Sequence, residues 1–258
     1  SIMSERSFLS ALQSGDVIIA DGAMGTMLQD AGLPPGTAPE GWLLDNSEAV
    51  VAVHRAYLDA GSDVILTCTF GATRPRLERT GLDDRLEEIN RRAVEIARQA
   101  AGDQAFVAGD IGPLGEFIAP LGDLSYEQAV DIFAEQAGAL ARAGVDVLYI
   151  ETMAALEEVR AAVEGATRVA NGTPVTATLS FDSHGRTNMG VRPEDAAQVL
   201  LEMGVAGLGA NCGATLDMTF DAAETIRDVA PATPLIVKPN AGTPRMVEDE
   251  VVYDAGPE

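Results

Sequence analysis

Basic residues are scarce. Lys and Arg number 17 against 40 Asp and Glu in 258 residues, a formal net charge of −23. A surface of that sign repels nucleic-acid phosphates and anionic lipid headgroups, so neither nucleic acid nor membrane is an expected partner. The excess acid reads as solubility or life at high salt, with docking to a basic partner module as the lesser alternative. No apolar run approaches the ~20 residues that span a bilayer, and the opening Ser1-Ile2-Met3-Ser4-Glu5-Arg6 lacks signal-peptide architecture. Cysteine is nearly missing: Cys68 and Cys212 are too few and too far apart for a disulfide framework, so a cytoplasmic setting is expected. Aromatics make up 5%, with Trp42 the single tryptophan. That does not suit the sugar stacking of a glycosidase, even though Asp21 and Glu151 would offer its carboxylate pair. The two histidines, His54 in a helical stretch and His184 in a polar loop, argue against histidine-based catalysis. His-Glu-x-x-His, P-loop and Gly-x-Ser-x-Gly motifs are all absent.

Apolar residues reach 47%, which excludes a disordered chain, and the length suits one large α/β domain or two small ones. Short apolar runs recur between helical patterns: Val17–Ala20, Asp63–Leu66, Phe106–Ala108, Asp146–Ile150, Val175–Leu179, Gly207–Ala210 and Leu235–Val237. They are apolar throughout, as strands buried on both faces are. Ser47, Ser125 and Asp217 read as helix caps, and Gln128 three residues after Ser125 completes a capping-box spacing. One internal echo supports the parse. Ala60-Gly61-Ser62-Asp63-Val64-Ile65-Leu66 is repeated in Ala143-Gly144-Val145-Asp146-Val147-Leu148 and more loosely from Met203 to Leu208, each a glycine junction from helix to strand. A (β/α) barrel is the expected fold; a doubly wound sheet is second, because no Gly-x-Gly-x-x-Gly turn follows the first strand. Seven strands are legible, whereas the closed barrel needs eight.

Polar groups stand at the C-terminal tip of every run: Asp21, Thr67 with Cys68, Asp110, Glu151, Ser180 with Asp182, Asn211 with Cys212, and Lys238 with Asn240. In a parallel barrel these converge on one mouth. Each alone is as well explained as a cap or a turn former. Cys212 alone is as well explained as a small buried filler.

The runs Asp21-Gly22-Ala23-Met24-Gly25-Thr26, Gly61 to Ala72, Gly109-Asp110-Ile111-Gly112-Pro113, Glu151-Thr152 and Asn211-Cys212 resemble the homocysteine S-methyltransferases, most of all the homocysteine-binding module of cobalamin-dependent methionine synthase. The resemblance runs in unbroken order over about residues 17–245. It implies a (β/α)8 TIM-type barrel over residues 1–258 as a single domain, with the eighth βα unit missing from this chain. It further implies zinc held by three cysteines, which presents the homocysteine thiol to a methyl donor. By resemblance, Cys212 matches the first zinc cysteine and is the catalytic candidate. Asp21 and Glu151 match carboxylates that hold the substrate's amino group, Gly22 matches backbone near its carboxylate, and Asn211 supports the metal ligand. Homocysteine or a similar small thiol is the implied substrate. Methylcobalamin on a separate corrinoid protein or module is the implied donor, with S-methylmethionine or a betaine as alternatives.

Two departures stand out. Cys68 occupies a position where the family usually carries Asn, and reads as a packed thiol rather than a ligand. The family's adjacent cysteine pair belongs to strand eight, which residues 240–258 do not supply, since Val251-Val252-Tyr253 is their only extended piece. The expectation is therefore that the protein continues. The competing readings are methyl transfer to another thiol or to a corrinoid protein, and a non-catalytic barrel subunit that has lost its metal.

Overall fold

The computed structural model describes residues 7–182, 184–241, 245–247 and 250–252. Helix α1 (Phe8–Gln13) comes first, then α2 (Met24–Asp30), α3 (Pro39–Trp42) and α4 (Ser47–Asp59), which leads into β1 (Val64–Leu66). The expected long helix from Arg74 breaks at Gly81, as read, into α5 (Arg74–Glu78), a 3-10 turn at Asp83–Arg85 and α6 (Leu86–Ala101). Beyond it β2 (Phe106–Ile111), α7 (Tyr126–Ala143), β3 (Val147–Met153), α8 (Leu156–Val169), β4 (Val175–Leu179), α9 (Pro193–Glu202), β5 (Gly207–Cys212), α10 (Leu216–Val229) and β6 (Leu235–Pro239) alternate without exception. β1 to β6 form one parallel sheet in sequential order, the winding of a TIM-type barrel.

Three expectations need correction. The run Val17–Ala20 forms no full strand: Ala20 makes a single parallel bridge to Val64, and the Asp63 carboxylate accepts from Ile19 N–H at 2.9 Å. Val17 and Ile19 are 89% and 55% exposed, so the segment is an edge with β1 on one side only. The sheet therefore has six strands rather than seven. Asn46, not Ser47, is the N-cap residue of α4. Thr215 caps α10 by accepting from Met218 N–H, and Asp217 sits in its first turn, where a carboxylate meets the positive end of the helix dipole. The capping box of Ser125 and Gln128 is present. No eighth parallel strand occurs among the described residues. β7 (Arg245–Val247) and β8 (Glu250–Val252) instead pair antiparallel, and Tyr253 of the expected extended piece lies outside the described residues.

Strand parity builds the interior. Val64, Leu66, Phe106, Ala108, Val147 and Tyr149 gather into one cluster with Ile236 packed against it, while Ile65, Val107, Leu148 and Ile150 join the core beneath the helices. Successive side chains point to opposite faces, so the first set faces inward and the second outward. Helix α1 plugs the N-terminal end, with the Phe8 and Phe106 rings edge to face at 5.4 Å. Gly209 is required where β5 meets β6, because a Cβ there would collide with the main chain of Ile236.

Candidate active site

The same parity carries the site. Continuing the inward set toward the C-terminal ends gives Asp110 on β2, Glu151 on β3, and on β5 and β6 the register partners Asn211 and Lys238. The polar mouth is thus the top layer of the barrel interior. It opens into a cavity of about 700 Å³ whose lining includes all five sequence-derived candidates, Asp21, Gly22, Glu151, Asn211 and Cys212, together with Asp110, Thr152, Lys238, Glu40 and Arg76.

Asn211 is the hub. It is buried, and both ends of its amide are engaged. Its Nδ2 donates to Glu151 Oε2 at 2.9 Å, Thr152 Oγ1 at 2.7 Å and Cys212 Sγ at 3.2 Å. Its Oδ1 accepts from Thr152 N–H at 2.9 Å and Thr178 Oγ1 at 2.6 Å. The main chain is bent to make this work. The register of β3 against β4 shifts between Ile150 and Met153, and Thr152 takes φ 60°. A β-branched residue in the left-handed region is a strained position of the kind found at functional sites. Cys212, at φ 56°, is a second. The irregularity re-aims Glu151 and presents the Thr152 amide to Asn211.

Asp21 enters from the first extended segment. Its Oδ2 accepts from Leu66 N–H at 2.9 Å and its Oδ1 from Lys238 Nζ at 3.1 Å. Burial raises the Asp21 pKa, an effect partly offset by Lys238. Asp110 is raised well above the usual carboxylate range, first by burial and then by the neighbouring Glu151. Burial lowers the Lys238 ammonium, yet Asp21, Glu151 and Asp110 outweigh it and the pKa ends raised. The Cys212 thiol is raised by burial and by Glu151, so it is neutral at neutral pH by itself.

Gly22 sits with its Cα against the Tyr57 ring, and a Cβ there would press on the phenol oxygen. Tyr57 in turn donates to Ala23 O at 2.7 Å. Cys68 is fully buried and its thiol is raised well above the usual range by that burial, which agrees with the packed-thiol reading. Ser180 accepts from Gly213 N–H, and Asp182 shapes its own loop by accepting from His184 N–H; neither lines the cavity. His184 is 85% exposed and His54 is buried. The residues sequence reasoning left without a role are Lys238, Asp110, Thr152 and Glu40. One signal was present: Lys238 is the only lysine in the sequence, the other 16 basic residues being Arg. Glu40, in α3, gave no signal; it is buried and accepts from Gly71 N–H at 2.6 Å, reaching the mouth only through the fold.

Fold and site define a TIM-type barrel whose chemistry-bearing side chains gather at the C-terminal ends of its strands. The homocysteine S-methyltransferase family model matches residues 18–258, and the chain belongs to that family. It is 28% identical over 260 residues to a methionine synthase of Mycobacterium leprae, covering 94% of this chain and 21% of the relative. To betaine–homocysteine S-methyltransferase 1 of Danio rerio it is 32% identical over 213 residues, covering 81% of this chain and 52% of the relative. The chain thus spans about a fifth to a half of the length of these curated relatives. Among solved structures it resembles the metallated form of the homocysteine methyltransferase MmuM from Escherichia coli, with a TM-score of 0.78, 28% identity, and 90% of this chain and 86% of that chain covered.

Proposed function

We propose that this barrel transfers a methyl group to the thiol of homocysteine, forming methionine. The observation that supports this best is the Glu151–Asn211–Cys212 constellation, in which one amide holds a carboxylate and a thiol on the same nitrogen. An amino-acid ammonium received at Glu151 brings its own sulfur toward Cys212. The thiol gives up its proton, the thiolate forms the new S–C bond, and the bond between methyl and donor breaks with its electron pair staying on the donor. The chain's own residues bind and orient: Glu151 and Asp110 present carboxyl oxygens to the ammonium, Asn211 keeps Glu151 and Thr152 in place, and Gly22 lines the mouth beside them.

Zinc enters this reading through the family. A site of the family's kind would take Cys212 as a ligand. Among the described residues, however, no group of three His, Cys, Asp or Glu side chains is placed to hold a metal ion, and the second cysteine, Cys68, is buried in the cavity wall. A single thiol does not complete a zinc site, so further donors are needed and no step is derived through the metal. In the catalytic reading the donor is methylcobalamin on a separate corrinoid module; the relatives named methionine synthase are long enough to hold further modules beside this one.

Full-length protein incubated with L-homocysteine and, in separate reactions, methylcobalamin, S-methylmethionine and betaine should form methionine with one donor, measured by mass spectrometry. No methionine from any of the three would remove the catalytic reading. Cys212→Ala should lower bound zinc, measured by atomic absorption, if Cys212 is a ligand.

A further inference from the structure

Helix α7 turns Ala129, Val130, Phe133, Ala137 and Leu140 to the core, and Gln136 stands buried among them. Its Oε1 has no partner, a cost that an apolar residue of the same size would avoid. Three acceptors surround its Nε2: Thr69 O at 2.8 Å, Asn90 Oδ1 at 3.3 Å and Asp110 O at 3.4 Å. Asn90, on α6, is itself fixed, since its Nδ2 donates to Leu86 O at 2.9 Å and Ala72 O at 3.2 Å. In front of Gln136 lies a closed ring of hydrogen bonds. The β1 ladder ends with Leu66 opposite Ala108, while β2 runs on to Ile111. On that side the Asp110 main chain meets hydroxyls instead of a strand. Its N–H donates to Thr67 Oγ1 at 3.0 Å, and its carbonyl accepts from Thr69 Oγ1 at 2.6 Å. The Thr69 proton being spent there, Thr67 Oγ1 donates to Thr69 Oγ1 at 2.7 Å and closes the ring. Thr67, Thr69 and Asp110 line the cavity, and Gln136 stands behind them.

We propose that Gln136 is a positioning residue for the mouth: from α7 it fixes Thr69, and through the Thr69 hydroxyl it fixes the main chain from which the Asp110 carboxyl projects. This rests on the amino-thiol reading of the site, in which Asp110 and Glu151 face the substrate's ammonium. The device ties two strand tips to the helical layer, to α7 through Gln136 and to α6 through Asn90. Without the carboxamide, Thr69 O keeps the Ala72 N–H at 3.0 Å, while Asn90 Oδ1 loses the Gln136 donor. The two tips then loosen together, and the ladder below Leu66 and Ala108 stays paired.

The test takes full-length protein and two readouts, calorimetric affinity for L-homocysteine and residue-resolved amide exchange by NMR. Gln136→Met keeps the side-chain length and removes the donor. It should weaken homocysteine by about fivefold or more, the scale of one lost hydrogen bond. The Ala72, Asp110 and Gly112 amides, which donate to Thr69 O, Thr67 Oγ1 and Phe70 O, should exchange about tenfold faster, with β4 and β5 unchanged. Thr69→Val should reproduce both effects and Thr69→Ser should reverse them. The double variant Gln136→Met with Thr69→Val should lose little more affinity than the worse single, because the two side chains act in series. Ser125→Ala, at the N-terminus of the same helix, controls for lost stability and should leave homocysteine affinity at the wild-type value. Exchange that speeds up across the whole sheet, additive losses in the double variant, or Gln136→Met affinity equal to wild type would each overturn the proposal. If wild type does not bind homocysteine, the amino-thiol reading falls, and the exchange pattern still decides whether Gln136 holds the two tips.

Discussion

Asn211 and His54 show how differently a buried polar side chain can be treated. Asn211 spends its amide on five bonds, among them contacts to the carboxylate, hydroxyl and thiol of the mouth. Removing it strands several buried partners, each at about 1–3 kcal/mol. Asn211→Ala should therefore lower stability by about 2–4 kcal/mol in urea unfolding and weaken homocysteine binding, because Glu151 loses its aim. Unchanged homocysteine binding would show that Glu151 needs no such support. His54 is buried with neither ring nitrogen bonded, and its pKa is lowered by burial to about 4 from 6.5. The folded state thus keeps the neutral ring while the unfolded chain takes a proton. Its contribution is complete above 6.5 and is lost as pH falls from there through 4, by on the order of 3 kcal/mol. His54→Leu should remove that part of the acid loss: between about pH 7 and pH 5 the variant should lose less stability than wild type in urea unfolding. Parallel losses in the two proteins would contradict it.

At the scale of elements, helix ends and strand ends do separate work. The αβ junctions at the N-terminal end of the barrel carry glycine turns such as Gly144, whereas the βα connections carry the helix N-caps alongside the strand-tip chemistry. The α7 capping box is local stability without a part in the mouth: Ser125 Oγ accepts from Gln128 N–H at 3.2 Å and the Gln128 side chain accepts from Ser125 N–H at 2.9 Å. Ser125→Ala should cost about 1 kcal/mol, a Tm drop of about 2–4 °C for a domain of this size, with ligand binding unaffected. A change in homocysteine affinity would mean that the first turn of α7 communicates with the site. β3 is the element where stability is traded for position, since its irregularity at Glu151 and Thr152 breaks the ladder that the flanking residues keep.

At the scale of the molecule the net charge of −23 governs behaviour. Arg168 meets Glu127, Asp131 and Glu164, and other arginines pair along their own helices. Such exposed pairs each add little, and most of the acid remains uncompensated. Self-repulsion of this kind is relieved by salt. Raising NaCl from about 0.1 M to about 1 M shortens the Debye length from about 10 Å to about 3 Å, and Tm should rise by several degrees. A flat or falling Tm would mean that ion pairs outweigh repulsion. No helix among the described residues is long and apolar enough to cross a membrane.

The alternation of elements, the break at Gly81, the capping box and the gathering of strand tips were all legible in the chain, because each depends on neighbours in sequence: periodicity, a turn glycine, a hydroxyl three residues from an amide. Resemblance added the family. Three matters waited for the tertiary structure. Val17–Ala20 has the composition of a strand, but strand formation needs partners, and it has β1 alone. Thr215 rather than Asp217 caps α10, because the cap is decided by main-chain angles that two adjacent polar residues do not distinguish in sequence. Asp21 and Lys238 lie at opposite ends of the chain, and only a sheet curled far enough to bring its first segment against its last strand makes them a pair. That pairing ties the first extended segment to the last parallel strand across the mouth.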